Sequence, residues 1–183
     1  MNRKVLMMAA AVLAIGSMVT ACNPTRTTKS AGEQIDDSAV TAKVKTALAR
    51  DPSTSAFKIE VETFRGEVQL NGFVDSADMK TSATRVAKSV SGVKSVSNNL
   101  QVGSGSRTAG EVVDDTVITA KVKTALAMDP TVKAHEVNVE TRDGVVQLAG
   151  FVDNSDQKSQ ATEVTRHVAG VKQVDNQLEV KQR

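Results

Sequence analysis

The 183-residue sequence has one cysteine, two histidines, no tryptophan, no tyrosine and only four phenylalanines. A lone cysteine excludes a disulfide framework, and with two histidines it cannot build an iron–sulfur centre or a Cys/His zinc site. So few rings also exclude stacking platforms for single-stranded nucleic acid and aromatic cages for quaternary ammonium groups. Three prolines and 11 glycines are too few for a low-complexity or disordered chain. No Gly-x-Ser-x-Gly elbow is present. His135 and His167 read as surface residues, and nothing points to a catalytic centre, a metal or a cofactor.

Long apolar runs are equally scarce. The one that stands out covers about 15 residues from Val5 to Val19, behind Arg3 and Lys4. It has the length of an export signal and is too short for a comfortable membrane span. It ends in Val19-Thr20-Ala21-Cys22, where small residues precede the only cysteine. That ending resembles the bacterial lipobox, which implies cleavage before Cys22 and a diacylglycerol on its sulfur. Asn23, rather than aspartate, follows it, and by the same resemblance the destination is the periplasmic face of the outer membrane. Ordinary cleavage after Ala21 would instead give a soluble periplasmic protein. Removing residues 1–21 takes Arg3 and Lys4 from 23 basic residues and leaves 21 against 21 acidic ones. Overall charge therefore offers a polyanion no attraction, and a nucleic-acid partner is not expected. Polar, small residues 22–32 read as a flexible tether.

The remainder is one module written twice. Asp36-Asp37-Ser-Ala-Val-Thr-Ala-Lys-Val-Lys-Thr-Ala-Leu-Ala-Arg-Asp-Pro52 returns from Asp114 to Pro130, at an offset of 78 residues without a gap. About 39 of 70 positions are identical between 33–102 and 111–180. Gly/Ser-rich residues 103–110 read as a linker. Two small domains follow, 33–102 and 111–183, each with a modest core.

Within a module the apolar period changes. Asp36 or Asp37 suits a helix N-cap, and Val40, Val44, Ala47 and Leu48 then share one face, stopped by Asp51-Pro52. Ile59, Val61 and Thr63 alternate with Glu60 and Glu62 as a half-buried strand. Arg65-Gly66 (Asp143-Gly144 in the second copy) turns the chain into Val68, Leu70, Gly72 and Val74. A second helix caps at Asp75 or Ser76, carries Ala83, Val86, Ala87 and Val90 inward, and ends at Gly92. Val93, Val96, Leu100 and Val102 supply a third strand. The class is α+β: an αββαβ order twice, each a three-stranded mixed sheet with both helices on one face.

This order, with Gly66-Glu-Val-Gln-Leu-Asn-Gly-Phe-Val74 and Gly92-Val-Lys-Ser-Val-Ser-Asn98, resembles the BON domain. The second copy repeats both signatures at Gly144–Val152 and Gly170–Asn176. Two copies behind an export signal resemble the dual-BON envelope proteins. The resemblance implies association with phospholipid or the outer-membrane surface, support of envelope integrity under osmotic stress, and, for the soluble kind, chaperone-like help to exported client proteins.

Gly66, Gly72, Gly92, Gly144, Gly150 and Gly170 are read as structural. Gly72 and Gly150 interrupt strands where a helix packs closely or a bulge forms. Asn98 and Asn176 read as buried amides tying the sheet edge to a turn. The remaining sheet face carries Glu60, Glu62, Gln69, Asn71 and Phe73, or Asn138, Glu140, Gln147, Ala149 and Phe151 in the second copy. Mostly polar, it can face water, with Phe73 and Phe151 as seats for the partner domain or as a client-binding patch.

The copies differ on their first helix. Val117 and Met128 replace Ala39 and Arg50, lie outside the core face, and stand beside Lys121 and Lys123. They suit either a weak membrane contact or packing against the other domain. Residues 111–180 carry 7 basic and 12 acidic groups, so attraction to anionic lipid has to come from a local patch. An anchor at Cys22 would make a weak contact sufficient.

Overall fold

The structure, a computed structural model, describes residues 31–54, 59–103 and 108–182. Cys22, the export segment and most of the tether lie outside the described residues. The element order is α1 Ala31–Arg50, β1 Ile59–Phe64, β2 Glu67–Val74, α2 Ala77–Lys88, β3 Ser95–Asn98 and β4 Gln101–Val102, then α3 Ala109–Met128, β5 Asn138–Arg142, β6 Val145–Val152, α4 Ser155–Arg166 and β7 Gln173–Val180. Each half is αββαβ. The strand order follows from pairing: β2 is central, antiparallel to β1 and parallel to β3 and β4, and β6 is central between β5 and β7. The third strand of the first half is broken between Asn98 and Gln101, where that of the second runs unbroken for 8 residues.

Each helix pair covers one sheet face. Val40, Val44 and Leu48 of α1 and Ala83, Val86 and Ala87 of α2 close over Val61, Val68, Leu70, Val74 and Leu100. Ile118, Val122, Leu126 and Ala161 repeat this over Val139, Val146, Leu148, Val152 and Leu178. These are the apolar i, i+4 and i+8 positions of each first helix, which is why that helix settles with this face inward.

The acidic pairs do not cap. α1 and α3 start well before them, and α3 is capped by Thr108, whose hydroxyl accepts from Glu111 N while the Glu111 carboxylate accepts from Thr108 N. Asp37 and Asp115 are instead buried inside the helices. Asp115 accepts from Asp143 N at 2.8 Å and Gly144 N at 2.9 Å, and Asp37 accepts from Arg65 N at 2.7 Å and Gly66 N at 2.8 Å. Each carboxylate thus holds the hairpin turn, where both central residues have positive φ: 53° and 82° in the first copy, 56° and 78° in the second. Asp115→Asn keeps one acceptor for two donors and removes the charge. It is expected to cost the second domain about 2–3 kcal/mol, read as a lower midpoint in urea denaturation.

Asn98 and Asn176 bind helices rather than turns. Asn98 Nδ2 donates to Lys80 O and Thr84 Oγ1 of α2, and Asn176 Nδ2 to Lys158 O and Thr162 Oγ1 of α4. Gly92 and Gly170 press against the first helices: a Cβ there would stand 2.7 Å from Val40 and 2.9 Å from Ile118.

Candidate functional site: the domain seam and the outward face of the third helix

The middle of the second face of each sheet does not meet water. The two faces stack on each other, giving four layers in the order helices, sheet, sheet, helices. Gln69 is 0% and Gln147 1% exposed, and Asn71 and Ala149 are buried beside them. This overturns the water-facing expectation for a physical reason: the two glutamines find their partners in the opposite domain, and Asn71 accepts from Asn99 Nδ2 in its own.

The pairing is reciprocal. Gln147 Oε1 accepts from Gly72 N at 2.6 Å and its Nε2 donates to Asn99 O at 2.8 Å. Gln69 Oε1 accepts from Gly150 N at 3.0 Å and its Nε2 donates to Gln177 O at 3.4 Å. Each contact maps on the other under the 78-residue offset, so the seam has an internal two-fold relation. Gly72 and Gly150 make it feasible, because their φ values of 113° and 125° expose an N–H that regular pairing would consume. At both glycines a glutamine of the other domain approaches the N–H, and at Gly150 the Glu136 carbonyl of the same domain stands where a Cβ would.

Aromatic and ionic contacts flank the glutamines. Phe151 is 7% exposed, with its ring centroid 5.4 Å from that of Phe64, stacked at 28°. As a client-binding residue Phe151 is corrected, since the first domain covers it. Phe73 is half-buried. Phe64 has Arg142 as its counterpart in the second copy; buried Arg142 lies 3.6 Å from Asp75 Oδ1 and donates to Gly103 O at 3.3 Å. Gln101 also donates to Asp175 across the seam. Phe64 and Arg142 drew no notice in the sequence, and Gln69 and Gln147 were read only as part of a polar, water-facing sheet face. The usable signal was a glutamine three positions before a strand glycine in both copies.

The residues expected on α3 lie where the sequence placed them. Val117 is 46% and Met128 81% exposed, so neither packs against the first domain. Val113, missed in the sequence, is 60% exposed. With exposed Ala120 and Thr124 they form a stripe spaced by three and four residues, opposite buried Asp115, Ile118, Val122 and Leu126. Exposed Lys121 and Lys123 fall about 60° and about 100° to either side of that stripe. A groove of about 410 Å³ beside it is lined by Val117, Lys121, Gly170 and Lys172, with Asp114 and Glu111 at the helix start. The stripe and the seam lie on different layers. Gly66, Gly144, Gly92 and Gly170 sit at turns and join neither.

His135 and His167 are exposed. Among the described residues no group of three or more His, Cys, Asp or Glu could hold a metal ion, and no helix is long and apolar enough to cross a membrane.

The family model for the BON domain matches residues 36–104 and 114–182. Osmotically-inducible protein Y of Escherichia coli (strain K12) is 40% identical, over 95% of this chain and 92% of that protein. Outer membrane lipoprotein DolP of Haemophilus influenzae is 34% identical, over 87% of this chain and 82% of that protein. Among solved structures, the C-terminal domain of CdsD, a structural protein of the type III secretion system of Chlamydia trachomatis, matches 76% of this chain and 63% of its own, at 15% identity and a TM-score of 0.30.

Proposed function

This chain belongs to the BON-domain family, and from that premise we propose that it is a non-enzymatic envelope protein whose second domain rests on phospholipid through the outward face of α3. The observation that carries the reading is the Val113–Val117–Met128 stripe, exposed opposite the core and flanked by Lys121 and Lys123. Exposed valines and a methionine between cations match an interfacial helix, apolar groups entering the acyl boundary while the lysines stay at headgroup phosphates. The excess of acid elsewhere in the second domain opposes this at long range, so the contact is local and weak. A lipid on Cys22 supplies the effective concentration it needs: from Cys22 to Ala31 the chain spans at most about 30 Å, keeping the domains close to the bilayer. The names of the relatives, an osmotically inducible protein and an outer-membrane lipoprotein, support a place in the envelope and a role under osmotic stress.

Vesicle co-sedimentation of a Cys22→Ser chain tests the lipid contact apart from the anchor. Binding to phosphatidylglycerol or cardiolipin vesicles should exceed binding to phosphatidylcholine. Val117→Asp or Met128→Asp should each lower it about tenfold, the equivalent of one apolar side chain left in water. Absence of binding, or equal binding by these variants, would defeat the reading. Client binding is the less supported alternative, because Phe151 is covered and only half-buried Phe73 is left to serve it.

A further inference from the structure

The internal two-fold relation of the seam is broken at one place. Under the 78-residue offset Glu62 matches Glu140, and Glu60 matches Asn138. On one side of the seam Asn138 Nδ2 donates to Glu62 Oε1 at 2.7 Å. On the related side the amide is replaced by a carboxylate: the two-fold relation that brings Asn138 to Glu62 places Glu60 of β1 towards Glu140 of β5, both half-buried. Two carboxylates brought together repel unless one holds a proton.

We infer that Glu60 and Glu140 form a proton-operated latch between the two domains. With both ionised, the seam is weakened on this side. With one protonated, an acid–carboxylate hydrogen bond takes the place that Asn138 and Glu62 fill on the other.

The surrounding groups are few. Lys45 of α1 reaches Glu60 at 3.3 Å, and Lys123 of α3 acts on Glu140. Glu62 is engaged by Asn138, and the cross-strand neighbours of Glu60 and Glu140, Asn71 and Gln147, are neutral. Burial first, and the charge of Glu60 second, hold the Glu140 carboxyl above its ordinary range, with Lys123 partly offsetting them. The docked arrangement thus binds the proton more tightly than separated domains do. Docking gains strength as pH falls through this raised range and loses it as pH rises above it. Asp153 behaves oppositely. Burial pushes it up, but hydrogen bonds from Lys133 and Lys181 outweigh that and hold it below its ordinary range. Its contacts fail only as pH falls through that lowered range, so the latch works at less acidic pH than the loss of Asp153.

The amides of Gly72 and Gly150 report the seam, because each donates across it. Hydrogen exchange of the full chain, followed by NMR and corrected for intrinsic rates, is the test. Protection at both amides should rise about threefold as pH falls from neutral towards the ordinary carboxylate range. Glu140→Gln should raise it at pH 7 by a similar factor and abolish the pH dependence, and Glu60→Gln should do the same. Amides of Val44 and Val122, inside the two cores, should not follow. An unchanged pH dependence in both variants, or equal changes at Val44 and Val122, would overturn the latch.

Discussion

Gln147→Leu separates the two domains without unfolding either. The substitution leaves Gly72 N–H and the Asn99 carbonyl without partners in a seam where Gln147 is 1% exposed. Two orphaned backbone groups, one donor and one acceptor, cost about 2–4 kcal/mol. That is about a 30-fold or greater loss of protection at the Gly72 amide, while core amides such as Val44 keep theirs. Gln69→Leu should act in the same way on Gly150, and the double variant should cost less than the sum if losing one pairing already opens the seam. Unaltered exchange at Gly72 in Gln147→Leu would mean that the glutamines do not hold the domains together.

Gly150→Ala should be the most damaging single methyl group. A Cβ there would stand 2.2 Å from the Glu136 carbonyl oxygen, with φ at 125°. No side-chain rotation relieves a clash between Cβ and backbone, so the short helical turn Ala134–Glu136 or strand β6 has to move. Strain and displacement together are expected to cost about 3 kcal/mol or more, seen in thermal unfolding as a lower midpoint for the second domain. Ala149→Gly next to it is the useful contrast: it adds no clash, and its cost should be limited to a lost methyl and a more flexible chain.

The repeat made the fold readable. Because two copies kept the same apolar positions, chance patterns in one were filtered by the other, and the αββαβ order with its hairpin turn followed from period and turn residues alone. What stayed hidden is what one module cannot disclose about its neighbour. Gln69 and Asn71 alternate with apolar residues along β2, as Gln147 does along β6, and a single sheet reads such a row as wet; the glutamines become dry only when a second copy supplies Gly N–H groups and strand carbonyls. Asp37 and Asp115 misled for a related reason. An aspartate ahead of an apolar stripe has the look of a cap, but its partner is a hairpin turn 28 residues on. The α3 surface was legible where the copies differ, at Val117 and Met128. Val113 went unnoticed because it corresponds to Ile35, and the comparison between copies is silent where both are apolar.

The most direct measurement of the membrane reading is depth. In a chain with Cys22→Ser, a spin label at position 128 and, separately, at the matched position 50 can be challenged with oxygen and a water-soluble nickel chelate on phosphatidylglycerol vesicles. The label replacing Met128 should become more accessible to oxygen and shielded from nickel, while the label replacing Arg50, on the helix layer at the far side of the molecule, stays in water. Two labels equally wet, or equally sunk, would contradict the account.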